Sequence, residues 1–185
     1  MADTTEFKVT PTAIPGLLEI DITVLEDNRG WFQEKFQKEK LVALGFPASF
    51  TPIQHSLSFN KETGTTRGFH MEPWEKYVGV IAGKIFAAFV DLRPGAGFGA
   101  KVTFAVDSKK AIFVPQGVAN SFQTLEPDTY YSYLVNGHWS SDKITEYKYV
   151  NLADPDLNIA WPISLDKAII SDKDRTNPML KDIKA

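Results

Sequence analysis

Between Tyr77 and Val135 the chain is a succession of short apolar runs cut by turn-forming residues. The runs are Tyr77–Ala82, Ile85–Leu92, Ala111–Val114, Asn120–Leu125 and Thr129–Val135, and Lys101–Asp107 among them alternates roughly apolar and polar. The interruptions are Gly83-Lys84, Arg93-Pro94-Gly95, Ser108-Lys109-Lys110, Pro115-Gln116-Gly117 and Glu126-Pro127-Asp128. Runs this short, rich in Val, Ile, Phe and Tyr, are strands, because β-branched and aromatic side chains suit a pleated surface and Gly and Pro break it. Strands spaced this closely leave no room for the helices of a parallel sheet, so the chain must close into a sandwich or barrel. The expected fold is mainly β: a jelly-roll barrel with a few short helices and an irregular C-terminal segment. One helix is expected over Gln37–Leu44, stopped by Gly45. From Asp154 onward, Pro155, Pro162 and Pro178 predict coil with a short helix or two, laid over the barrel. No repeat or linker divides the 185 residues, so 1–185 is read as a single domain, with about 1–8 flexible.

Charge and residue content narrow the function. The net charge of -3 gives no basic surplus for nucleic acid, while a small anion needs only a few placed Arg and Lys residues. With no cysteine, thiolate metal sites, disulfides and cysteine nucleophiles are excluded. The polar start and the lack of a long apolar stretch predict a cytoplasmic protein with no membrane contact.

Only three histidines are present: His55, His70 and His138. His70 follows Arg67-Gly68-Phe69, which puts a permanent cation near a titratable base; taken alone, the pair also fits a structural histidine and a surface arginine. The spacing Gly64-x5-His70-x-Glu72-x3-Lys76-x6-Gly83 resembles the first cupin motif, and Pro115-Gln116-Gly117-Val118-Ala119-Asn120 the second. Metal cupins hold their ion at these ligand positions, which here read His70, Glu72, Lys76 and Asn120. A lysine ammonium repels a divalent cation, and asparagine is a poor ligand for zinc or iron. No metal and no cofactor is therefore expected. A histidine and a lysine in a barrel mouth are instead the parts for proton abstraction and anion stabilisation.

Further segments resemble, in order, those of the dTDP-4-dehydrorhamnose 3,5-epimerase family. They are Asp27–Glu34, the Gln54, Ser56 and Ser58 strand, Arg67–His70, Val90–Arg93, Tyr133, Asp154–Pro162 and Ser171–Asp174. One such match is weak, but seven in sequence from about Gly16 to about Leu180 are specific. The chain departs from the family at Asn120, where many members carry a histidine, at Ser56 in place of asparagine, and at Thr66 and Phe69 in place of leucine. The segment after His70 is also shorter.

The resemblance implies a cupin-type barrel that inverts C3 and C5 of dTDP-4-keto-6-deoxy-D-glucose through an enolate, giving dTDP-4-keto-L-rhamnose. It implies His70 as base, Asp174 as its carboxylate partner, Tyr133 as acid on the opposite face and Lys76 at the enolate oxygen. For the substrate it implies Arg29 and Arg67 at the diphosphate, with Glu34, Gln54, Ser56, Asn120 and Lys173 near nucleotide and sugar, and an aromatic such as Trp31 on thymine. It further implies a homodimer, with residues near Thr23–Glu26 a candidate for strand exchange. Other readings remain: inversion at C3 alone, a non-catalytic cupin that binds a sugar nucleotide, or a metal cupin. Without the resemblance, Tyr133 beside Tyr130 and Tyr131 reads equally well as packing, Asp174 as a capping carboxylate, and Arg29 as a turn residue.

Overall fold

The computed structural model describes residues 5–183. In chain order the strands are β1 (Phe7–Pro11), β2 (Leu18–Ile22), β3 (Leu25–Asp27), β4 (Gly30–Phe32), β5 (Gln54–Asn60), β6 (Thr66–Met71), β7 (Lys76–Ala82), β8 (Ile85–Asp91), β9 (Lys101–Val106), β10 (Lys110–Val114), β11 (Val118–Thr124), β12 (Thr129–Val135) and β13 (Lys148–Tyr149). The helices are α1 (Lys38–Ala43) and α2 (Asp172–Arg175), with 3-10 turns at Ser141–Glu146 and Leu180–Asp182. One sheet has the order β1-β2-β10-β7-β12-β5 and the other β13-β6-β11-β8-β9, while β3 and β4 form a separate hairpin. All pairings within these sheets are antiparallel. Two antiparallel sheets whose strands cross over in this order form the expected jelly roll. No helix of the described residues is long and apolar enough to cross a membrane.

The apolar runs of the central strands β7, β8, β10 and β11 are continuous because they are covered on both faces, while the edge strands β5 and β9 alternate. On β8, Ile85, Ala87 and Phe89 enter the core between the sheets with Val78, Val80, Val114 and Phe122. The intervening Ala88 and Val90 pack outward against Leu152, Leu157 and Leu180 of the C-terminal segment. Part of the outer face of the six-stranded sheet is covered by α1 and the segment after it: Leu41, Phe46 and Phe50 meet Ile20, Tyr77 and Phe113. The helix starts where Gln37 caps it, its side chain accepting from the Lys40 amide at 2.7 Å. It ends just before Gly45, whose φ of 95° suits a residue without Cβ.

The loose start expected for about 1–8 is corrected in part. Residues 1–4 lie outside the described residues, but Phe7 and Lys8 already belong to β1, paired with Ile22 and Asp21. The side chain of Phe7 is buried against the α1 cluster, which ties this edge strand down.

Candidate active site

The site begins with an irregularity in β6. Arg67 and His70 are three residues apart, and in a regular strand an odd separation sends side chains to opposite faces. Along β11, however, Asn120 pairs with His70 and Phe122 with Arg67, so two steps on β11 match three on β6. The extra residue is a bulge, and it turns both side chains into the same cavity. Gly68 makes the bulge possible: its φ is 122°, and a Cβ there would lie 2.6 Å from the Ser121 Cβ. Ser121 fastens the irregular segment by donating its hydroxyl to the Arg67 carbonyl at 2.7 Å.

His70 is held from behind by the C-terminal segment. Ser171 caps α2, its hydroxyl accepting from the Asp174 amide at 3.1 Å. This directs the buried Asp174 carboxylate back onto β6. There it stands 2.8 Å from His70 Nε2 and accepts from the Gly68 amide at 3.3 Å. A carboxylate only accepts, so Nε2 carries the proton and the other ring nitrogen keeps its lone pair. Burial works to raise the Asp174 carboxyl, but the hydrogen bond from His70, aided by Gly68 and Ser171, wins and holds it below its ordinary value.

The opposite wall comes from the other sheet. Tyr133 and Tyr131 alternate on β12 beside Ser56 and Ser58 of β5. Tyr131 stacks on Phe122 of β11 with ring centroids 4.3 Å apart, joining the two sheets beneath the cavity. The cavity of about 200 Å³ is lined by Ser58, Arg67, His70, Glu72, Lys76 and Tyr133, with Asn120, Phe122 and Tyr131 completing it. Sites for drug-sized ligands run to about 300–1,000 Å³, so this one suits a single ring with the rest of a ligand outside. Lys76 is only 4% exposed, and burial pulls its ammonium down to about 7. It contacts the Glu72 carboxylate and donates to Asn120 Oδ1 at 2.5 Å. Among the described residues, no three His, Asp or Glu side chains gather as a metal site.

The structure thus brings together His70, Tyr133, Lys76, Asp174, Arg67 and Asn120. Asn120 faces Lys76 rather than standing free for a sugar, and its amide nitrogen reaches the Tyr131 hydroxyl at 3.4 Å. The remaining expected ligands do not line this cavity within one chain. Arg29 sits at the tip of the β3–β4 hairpin, its side chain 85% exposed and paired with Asp27 at 2.6 Å. Trp31 on the same hairpin is 61% exposed, so it stacks on nothing in its own chain's cavity. Glu34 pairs with Lys40 at 2.5 Å and contacts Thr5. Gln54 is engaged with the Ser56 hydroxyl at 3.1 Å and the Trp139 amide at 3.0 Å, which also removes Ser56 from the wall. Lys173 lies over the Tyr149 ring at 4.5 Å, and that ring packs edge-on against His70, so Lys173 belongs to the rim. Glu72 is a lining residue that the sequence presented only as an altered metal-ligand position. Its spacing of four from Lys76 was the available signal.

A jelly roll whose mouth sets an imidazole on one sheet against a phenol on the other, with an ammonium between, has the build of a cupin-type isomerase. Residues 11–182 match the family model described as dTDP-4-dehydrorhamnose 3,5-epimerase. An RmlC homolog of Streptococcus pyogenes serotype M6 is 48% identical over 92% of this chain and 88% of its own length. The dTDP-4-dehydrorhamnose 3,5-epimerase of Methanothermobacter thermautotrophicus is 32% identical over 92% of each chain. The structure of RmlC from Streptococcus suis in complex with dTDP-D-xylose superposes with a TM-score of 0.91 at 48% identity, covering 96% of this chain and 93% of that one. The chain belongs to the dTDP-4-dehydrorhamnose 3,5-epimerase family.

Proposed function

We propose that the protein epimerises C3 and C5 of dTDP-4-keto-6-deoxy-D-glucose, with His70 as base and Tyr133 as acid. The observation that carries this reading is the placement of His70, backed by Asp174, on β6 of one sheet and Tyr133 on β12 of the other, around a cavity that both line. The C4 ketone acidifies the hydrogens on both neighbouring carbons. His70 takes a proton from C3 or C5, and the electron pair of the broken C–H bond moves onto the ketone oxygen as an enolate. Lys76 stabilises that oxygen, because its charge is already in place when the electron density arrives. Tyr133 returns a proton from the far face and the centre is inverted, after which solvent restores both groups. Arg67 stands on the same bulge as His70 and suits the first phosphate beyond the sugar. Its Nε donates to Asn60 Oδ1 at 2.9 Å, which holds the guanidinium in place and leaves its outer nitrogens for the ligand.

Arg29, Trp31 and Phe32 are exposed on a hairpin that packs on little of its own chain. Leu57 and Phe59 of β5, with Ile53 just before it, leave an apolar stripe along the edge of the six-stranded sheet. Both features fit a homodimer in which the hairpin of one protomer brings Arg29 to the diphosphate at its partner's cavity. A second phosphate-binding arginine and a nucleotide-stacking aromatic would then come from the partner, as a cavity of one-ring size requires.

The reaction is tested by incubating the protein with dTDP-4-keto-6-deoxy-D-glucose in deuterated water and following both positions by proton NMR. Deuterium at C3 and C5 is expected. Label at C3 alone would replace the double inversion by the single one, and no label from folded protein would remove the catalytic reading.

A further inference from the structure

The cavity contains a carboxylate for which proton shuttling between His70 and Tyr133 has no use. Glu72 follows the end of β6 and Lys76 opens β7, so the short connection between them folds the two side chains together. Both are sheltered, with side-chain exposures of 17% for Glu72 and 5% for Lys76, and they are in direct contact. An ammonium has three N–H donors. One meets Glu72, one is given to Asn120 Oδ1 at 2.5 Å, and among the described residues the third has no acceptor. Asn120 is itself held by the Tyr131 hydroxyl at 3.4 Å, so that acceptor is anchored. We propose that Glu72 is a positioning residue: with Asn120 it keeps Lys76 charged inside the barrel and aims the remaining N–H at the substrate's ketone oxygen.

This rests on the proposed epimerisation and adds a requirement to it. A buried amine tends to lose its proton, and a neutral Lys76 would offer the enolate a far weaker partner. Burial pulls Lys76 down to about 7 even with Glu72 in contact, so an adjacent carboxylate is what still favours the charged form over the neutral one. The other titratable groups around the cavity are His70 and Arg67 from β6 and Tyr131 and Tyr133 from β12, with Asp174 behind His70. Of these, Arg67 adds positive charge and works against the ammonium, while Asp174 is engaged with His70. Glu72 is thus the carboxylate in contact with Lys76.

The test is the pH dependence of kcat for Glu72→Gln against wild type, read as deuterium entry at C3 and C5. Without the carboxylate Lys76 gives up its proton at lower pH than in wild type, so the variant's activity starts to fall at lower pH. The ratio of variant to wild-type kcat is expected to drop about tenfold between pH 5 and pH 8, the consequence of about a tenfold weaker hold on the Lys76 proton. Glu72→Asp, which keeps a carboxylate, restores part of this basic limb. A ratio that stays constant across the range overturns the proposal, since a merely structural role lowers activity equally at every pH. A second measurement needs neither substrate nor variant turnover: the 13C resonance of Lys76 Cε, assigned by its absence in Lys76→Arg, followed against pH in wild type. The same titration of Glu72→Gln completes the test: a midpoint lower than that of wild type supports the role, and an unchanged midpoint removes it. Failure of the wild type to exchange deuterium would strike the epimerase reading instead, and the NMR titration would still judge Glu72.

Discussion

Replacing Asp174 by asparagine separates the orientation of His70 from everything else the site does. The side chain is 7% exposed and stands 2.8 Å from Nε2, but it does not line the cavity, so the substituted protein keeps every surface that touches substrate. The amide oxygen of asparagine can still accept from the Gly68 amide, and the Ser171 cap of α2 uses the backbone, so the local fold persists. What is lost is a hydrogen bond to a charged acceptor in a sheltered place, about 1.5–3 kcal/mol. At about 1.4 kcal/mol per factor of ten, that corresponds to about 10- to 100-fold in the proton-removal step. The upper end is expected, because an asparagine NH2 turned toward Nε2 favours the tautomer whose other nitrogen bears hydrogen and cannot act as a base. The assay is the initial rate of deuterium entry at C3 and C5 under saturating substrate, with dTDP affinity measured in parallel. An Asp174→Asn protein that exchanges within twofold of wild type, or that loses affinity instead of rate, would refute the reasoning.

Tyr133→Phe leaves the base intact, so deuterium exchange should continue with little net inversion while epimerised product falls about 10²- to 10⁴-fold, distinguishable by NMR of the recovered sugar. Gly68→Ala forces a methyl onto Ser121 and the Asn120 carbonyl at a φ of 122°, which should cost about 1–3 kcal/mol in urea unfolding and remove activity as the bulge rearranges. Because the Asp174 carboxyl is held below its ordinary value, its contribution to stability is present above the unfolded value near 3.8 and lost as pH falls through the folded one, so Asp174→Asn should lose the part of the acid-induced drop in melting temperature that this group causes. If β5 covers a partner, Leu57→Asp should shift sedimentation from dimer to monomer, and Arg29→Ala should raise KM more than it lowers kcat.

The strands β7 to β12 were legible within about two residues, because burial on both faces turns β7, β8, β10 and β11 into largely apolar runs, while β9 at a sheet edge alternates apolar and polar and turn residues cut all six. The α1 helix was equally plain from its Gly45 stop. β6 was not, since its bulge exists only through the register it shares with β11, and nothing in Thr66–Met71 alone says that Arg67 and His70 share a side. Asp174 lies 104 residues from His70. Pattern and propensity carry no information over that distance, and only the likeness of Ser171–Asp174 to a family segment pointed to it. Glu72 was read through the metal positions it resembles, which hid its pairing with Lys76. Arg29, Glu34 and Gln54 were grouped with the site by family likeness, whereas their places in one chain depend on local partners and on surfaces that a neighbouring protomer can cover.

The stacked rings of Phe122 and Tyr131 act as a spacer between the two halves of the reaction. His70 belongs to one sheet and Tyr133 to the other, and this aromatic pair spans the gap between the sheets beside them. The reach between the two groups is therefore governed by the thickness of the barrel's filling. A smaller residue at either position would change the space between the two walls even where the chain still folds, so the size of ring that fits can drift through substitutions in the cavity floor.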